Sequence, residues 1–324
     1  MNRRDFQTGA LASLFTLPDL AQAEDWPARP VKLIVPFAAG SSPDTANRLF
    51  GHELSKVLGQ AVVIDNRPGA NGITGTMAGL SSAPDGYTLI SINVGTLAIN
   101  PFLFPKQRYD PLQDLVPVAL TASTANALVV RPGLGVKNVR ELIARAKAHP
   151  GQLNMGSSGT GTTGHLSGEL FKAMTGTFAV HVPYRGSLAA YTDLIAGRID
   201  FMFDNLLSAG PYVKDGRAQL LAVTVPQRSE LFPEVPTLQE EGLAGYETVS
   251  WTGLAVPKGT PPAIVQNLKK AVEATNASAN VSAFYRQTGA KAIAPMTDQQ
   301  FVRFVTAEQE KWSALVRRSG AANN

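Results

Sequence analysis

From Val31 onward, short β-branched and apolar runs alternate with segments whose apolar positions recur every three or four residues. The first kind predicts strands at 31–35, 61–66, 88–93, 127–130, 153–156, 178–182, 199–203, 219–224 and 251–255. The second predicts helices at 45–58, 73–81, 139–149, 163–174, 188–196, 208–215, 237–242, 261–275, 281–288 and 297–319. Alternation of this kind predicts an α/β fold with parallel sheets covered on both faces. Two strand–turn–helix units, at Val31 and Leu153, each open a fresh run of such units, so two similar lobes are expected. The chain should cross between them near Leu120–Ala127 and return near Tyr246–Trp251. That assigns residues 24–125 plus 251–324 to lobe 1 and 126–250 to lobe 2.

The first unit carries explicit helix-start signals: Ser42 as N-cap, Pro43 at the first helical position and Asp44 in the first turn. Ala46, Phe50, Leu54 and Val57 then follow at helical spacing, and Gly59 ends the element. A strand feeding a helix through Ala38-Ala39-Gly40-Ser41-Ser42 leaves several N–H groups at the positive end of a helix dipole, a seat for an anion. Asp44 would repel an anion there, so it reads as a residue that orders the loop or meets an amino or hydroxyl group. Phe37, at the strand end, either walls the cleft or joins the core.

The second unit contains Gly159-Thr160-Gly161-Thr162-Thr163-Gly164, a G-x-G-x-x-G after a strand and opening a helix. A dinucleotide reading lacks its ribose acid, because the next strand runs into Val182-Pro183-Tyr184-Arg185. The hydroxyls at 157, 158, 160, 162 and 163 suit a carboxylate instead; a purely structural glycine turn is the other reading. Ser157 and Ser158 do not fit a nucleophile elbow, since Thr160 stands where glycine is required. His165, in the first turn of a helix, reads as a neutral packing residue or a ligand contact. Asp204 sits at the carboxyl end of a strand, the edge at which α/β sheets hold ligands. Arg185 could pair with a carboxylate or be solvated.

Composition narrows the chemistry. The chain has 324 residues, 44% hydrophobic and 17% charged, enough for a two-domain core. It has no cysteine, which excludes disulfides, thiolate zinc sites and thiol catalysis. Its four histidines show no metal-ligand spacing, and neither cofactor nor metal is expected. The net charge of +4 is scattered without a run of five basic residues, so no nucleic-acid partner is expected. Residues 1–23 read as an export signal: Arg3-Arg4-Asp5-Phe6, a mildly apolar stretch, then Ala21-Gln22-Ala23 as cleavage site. The twin-arginine route is favoured over the general one, although Gln7 and Thr8 fit it imperfectly. No later segment approaches about 18 consecutive apolar residues, so a soluble periplasmic protein is expected.

The ordered motifs along the chain are Val35-Pro36-Phe37 with Gly40, Asp44 and Arg48, Asn66-Arg67-Pro68-Gly69-Ala70 and Pro84-Asp85-Gly86-Tyr87-Thr88-Leu89. They continue with Ser157-Ser158-Gly159, His165-Leu166, His181-Val182-Pro183-Tyr184-Arg185-Gly186 and Trp251-Thr252-Gly253-Leu254. With these the chain resembles the Bug-type substrate-binding proteins of tripartite tricarboxylate transporters, from about Trp26 to Gly320. The resemblance implies a two-lobed Venus-flytrap periplasmic binding protein, each lobe a central sheet flanked by helices, closing on a small organic acid in the interlobe cleft. It also implies that the loop after the first strand and the loop opening the second lobe clamp one carboxylate, partly through water. On this chain those are Phe37, Ala39, Gly40, Ser41, Ser42 and Asp44, and Ser157, Ser158, Gly159, Thr160 and Thr163, with His165 beside them and Asp204 as a specificity contact. Ser41, Pro43 and Asn47 depart from the usual pattern; Ser41 restricts φ and Pro43 removes one N–H. Expected partners are the small acid and the permease subunits of such a transporter, with the receptor a monomer. A periplasmic sensor shares the same binding physics, and an exported hydrolase or dehydrogenase lacks the required motifs.

Overall fold

The computed structural model describes residues 26–319; the export signal expected at 1–23 lies outside the described residues. Ten strands form: β1 Val31–Val35, β2 Val62–Asn66, β3 Thr88–Asn93, β4 Leu115–Val130, β5 Asn154–Ser157, β6 Val180–Pro183, β7 Phe201–Asn205, β8 Gln219–Val223, β9 Val249–Pro257 and β10 Ala290–Ala292. The helices are α1 Ser42–Leu58, α2 Ile73–Leu80, α3 Asn100–Leu103, α4 Val139–Ala148, α5 Thr163–Thr175, α6 Ser187–Ile195, α7 Leu206–Lys214, α8 Pro262–Asn276, α9 Ala279–Thr288 and α10 Asp298–Ser319. Among the described residues no helix is long and apolar enough to cross a membrane.

Side-chain caps set several of these helix starts. Asn138 accepts from the Glu141 N–H, Thr162 from His165 and Ser278 from Val281. Before α10, Thr297 and Gln300 bond reciprocally to each other's N–H, a capping box. The segment 237–242, expected to be helical, carries the same box between Thr237 and Glu240. It nevertheless stops after one turn, because Gly242 takes φ +98° and leads the chain away. At α1 the cap lies one residue earlier than expected, at Ser41, whose hydroxyl donates to Ala38 O at 2.7 Å.

The sheet is mixed, not parallel as expected. β1 pairs in parallel with β2 and β3, and β5 with β6 and β7. β9 runs antiparallel to β3 and β4, and β4 runs antiparallel to β7 and β8. The reason is directional. Strands that end at a shared crevice run toward it in both lobes, whereas a strand that crosses runs toward it in one lobe and away in the other. β4 crosses as one unbroken strand: residues 115–125 pair with β9, and from Asn126 onward the partner is β7. Only its last four residues were legible as a strand, because the earlier part interleaves Pro117 and several Ser and Thr residues with its apolar ones.

Each sheet half is packed on both faces. Val31, Leu33 and Val35 meet Phe50, Leu54, Leu268 and Val272 from α1 and α8 on one face of the first half. Ile90, Ile92 and Trp251 meet Val305, Trp312 and Val316 of α10 on the other, and Leu166 of α5 joins that cluster, so α10 touches both halves. Within it one Glu308 oxygen accepts from the Trp251 indole at 2.7 Å and the Trp312 indole at 3.0 Å. Both rings are buried, at 2% and 0% exposure. Leaving a buried N–H unpaired costs about 1–3 kcal/mol. Glu308→Leu is therefore expected to lower stability by about 2–4 kcal/mol in urea unfolding; a loss below about 1 kcal/mol would show that the indoles find other acceptors.

Candidate functional site

The carboxyl ends of β1 and β3 face those of β5 and β7 across a crevice, and the loops that leave them carry most of the polar groups found there. In the β1–α1 loop Gly40 takes φ +78°, the left-handed conformation that glycine adopts without strain. That geometry points its N–H at Asp44 Oδ2, 2.8 Å away. The same oxygen accepts from Arg48 Nε at 2.9 Å, and Oδ1 accepts from Asn66 Nδ2 at 2.8 Å. Asp44 is 2% exposed. Burial pushes its carboxyl up, but the hydrogen bonds from Arg48, Gly40 and Asn66 outweigh it and hold the group below the usual aspartate range. Asp44 is thus a saturated buried anion that shapes the loop. Asn47 anchors the helix below, donating to Pro43 O and to Ser91 Oγ. Phe37 is half-buried against the core, whereas Ala39 and Gly40 are exposed and Ser41 and Ser42 half-buried at the crevice.

The β5–α5 loop is held differently, by two imidazoles. Ser157 is fully buried, its hydroxyl 2.7 Å from His181 Nε2 and accepting from the Gly159 N–H at 3.2 Å. The His181 ring stacks on His165 at 3.9 Å. His165 Nδ1 accepts from the Gly161 N–H at 3.2 Å, and its Nε2 lies 3.6 Å from Glu169, which Lys172 also pairs. Burial, reinforced by the neighbouring His165 and opposed by Glu169, pushes His181 down to about 3, so it is neutral at any physiological pH. Thr163 is buried and donates to Asn126 Oδ1. That leaves Ser158, Gly159 and Thr160 as the half-buried to exposed part of the loop. Gly164 explains the last glycine of the motif: a Cβ there would sit 2.2 Å from Phe203 O, so the residue permits close packing of α5 on β7.

Asp204, next to last in β7, is in register with Ala127 of β4 and is 2% exposed. Its Oδ2 and the neighbouring Asn205 Oδ1 are buried acceptors without a hydrogen-bond partner. Burial pushes Asp204 up to about 6, against the opposing hydrogen bonds of Ser187, the Asn205 N–H and Ser208.

The two sides of the crevice touch. Ser42 Oγ meets Ser208 Oγ, and Asn71 Nδ2 donates to Gly161 O at 2.9 Å. Asn71 sits at φ +49° and is braced by Asn100, with bonds of 2.9 and 3.0 Å. A Cβ on Gly161 would lie 2.1 Å from Leu103 Cδ2, so this approach requires glycine. Asn71, Asn126, His181 and Ser208 escaped the sequence reading of the site. For Asn71 the Asn-Gly pair at 71–72 was an available signal, since asparagine tolerates the left-handed region.

Comparison with known proteins shows what this arrangement is similar to. The family model described as the tripartite tricarboxylate transporter family receptor matches residues 46–321. Protein BugT of Bordetella pertussis is 37% identical over 301 residues, 92% of each chain. A protein from the tcbD-tcbE intergenic region of Pseudomonas sp. strain P51 is 35% identical over 318 residues, 98% of this chain and 94% of that one. Among solved structures, Rpa4515 of R. palustris with adipate is 38% identical with a TM-score of 0.87, covering 91% of this chain and 99% of that one. MatC of Rhodopseudomonas palustris with bound malate is 32% identical with a TM-score of 0.84, covering 90% and 100%.

Asp204 sets a testable pH dependence. Its folded value lies above its unfolded one, so the folded state binds the extra proton between about pH 4 and 6. Its contribution to stability is therefore fully present below pH 4 and lost as pH rises through 6. Asp204→Asn is expected to be more stable than the parent at pH 7.5, by at most about 3 kcal/mol, with the gain vanishing near pH 4. Urea unfolding at the two pH values checks this; an equal difference at both would mean that Asp204 ionises normally.

Proposed function

The chain belongs to the tripartite tricarboxylate transporter receptor family, a family of periplasmic solute receptors and not of enzymes, and from that premise we propose that it captures a small organic carboxylate between its lobes for delivery to the permease subunits of such a transporter. The observation that carries this reading is the convergence of two preorganised loops on one crevice. Each precedes a helix N-terminus, α1 on one side and α5 on the other, and the field there favours an anion.

Each loop is braced by hydrogen bonds within the protein. Asp44 with Gly40, Arg48 and Asn66 holds the first; Ser157 with His181 and His165 holds the second. The acid lies between Ala39–Ser42 on one side and Ser158–Thr160 on the other, and the acceptors of Asp204 and Asn205 bound the far end. Adipate and malate are the acids in two of the similar structures, which supports a dicarboxylate or hydroxy acid here. Binding on one lobe recruits the other, because the closed arrangement adds the second loop and removes the ligand from water.

We assign residues 24–125 plus 251–324 to lobe 1 and 126–250 to lobe 2, the division lying where β4 exchanges β9 for β7. Export by the leader at 1–23, with cleavage after Ala23, delivers the receptor to the periplasm, where it acts as a monomer.

Thermal unfolding of residues 24–324, refolded to strip carried-over ligand, against adipate, malate, aspartate, citrate, glucose and AMP tests the reading. A cognate acid at about 100 times its Kd adds about 2.7 kcal/mol and raises Tm by several degrees. Asp44→Ala releases the first loop and is expected to weaken that acid's binding at least tenfold. Shifts by glucose or AMP alone would overturn the carboxylate reading.

A further inference from the structure

A second cavity lies at the point where β4 passes from one lobe to the other. It is partly open to solvent and measures about 390 Å³, within the range that takes one small molecule. Its floor is Ser123–Ala125 of β4 and Val249 of β9, the last residues of the first sheet half. One wall is the end of α9 with β10, and the other is the loop after β8, residues 225–231. Both halves of the molecule and the crossing strand therefore contribute to it. None of the crevice residues described above lines it.

Its lining combines an apolar body with a cationic rim. Ala125, Val225, Pro226, Val249 and Ala290 supply the apolar part. Of the charged residues, Arg228 is neutralised by Glu240, with two bonds of 2.9 and 3.1 Å. Lys291 faces Glu230 at 3.8 Å. Arg286 lines the cavity with no acidic partner among the described residues. One positive charge is left over beside an apolar volume, and this fits a singly charged anion with a compact apolar body.

We propose that this cavity binds a small apolar monocarboxylate, its carboxylate on Arg286, and that the occupant favours the closed lobes. The coupling follows from the walls. The cavity has this shape while Ser42 touches Ser208 and Asn71 touches Gly161. Rotation about β4 moves α9 and β10 relative to the 225–231 loop, so a molecule that fits the present shape selects the present lobe angle.

The probe is 4-fluorobenzoate, followed by fluorine NMR line broadening on residues 24–324, on Arg286→Glu and on Ala290→Trp, with Asp44→Ala as the crevice control. Arg286→Glu reverses the rim charge, and Ala290→Trp fills the volume. Each is expected to weaken binding at least tenfold at unchanged Tm, while Asp44→Ala retains it. Broadening that persists in both cavity variants, or is lost in Asp44→Ala alone, would place the acid elsewhere and overturn the site, as would no broadening at all. Small-angle scattering at saturating probe is expected to give a smaller radius of gyration than the ligand-free chain; an unchanged radius would overturn the coupling.

Discussion

Backbone hydrogen bonding along β4 has to be satisfied over sixteen residues although its partner changes after Ala125. A strand cannot leave one sheet and enter another without passing a point where pairing is handed over, and unpaired buried backbone groups are costly. The hand-over at Ala125–Asn126 is bridged by side chains. The Asn126 N–H donates to Thr224 Oγ1, the Thr224 hydroxyl lies within reach of both Asn126 O and Thr248 O, and the Thr224 N–H donates to Asn126 O. Because these bonds tie β4, β8 and the start of β9 together, the two lobes share one continuous sheet and meet along a defined line.

That line dictates where everything else lies. With β1, β3, β5 and β7 all ending at it, their loops confront one another, and the helices that follow point N-termini at the same space. The loops are then stiffened by opposite means. On one side a buried carboxylate, kept charged by three donors, gathers the backbone around it. On the other, two stacked imidazoles 3.9 Å apart do so, with burial keeping His181 neutral. Asp204 lies at the far end, where burial raises its carboxyl to about 6.

Much of the first loop was legible because its constraints are local. Ser41, Ser42, Pro43, Asp44 and Gly40 lie within five residues, and helix-start rules speak about just such neighbours. The one-residue shift of the cap to Ser41 is within the slack of those rules. The second loop was legible as a turn but not as a device, since His181 is 24 residues from Ser157 and nothing local ties them. Asn71 and Gly161 are 90 residues apart, and Ser42 and Ser208 are 166. The extent of β4 was hidden for another reason: its first part pairs with β9 on one side and meets the short β10 only at Ala122–Thr124 on the other, and such partly edge-like strands tolerate Ser, Thr and even Pro117.

The sequence by itself determined most of the order of strands and helices, the two-lobed fold, the turns after β1 and β5 and, through its ordered motifs, the family. These follow from periodicity, caps and glycine placement, which act over a few residues at a time. Tertiary structure alone decided the mixed direction of the sheet, the lock between the histidines, the contacts across the crevice and the cavity at the crossing. Each depends on groups that meet only after the chain has crossed from one lobe to the other and returned, and no local preference encodes that meeting.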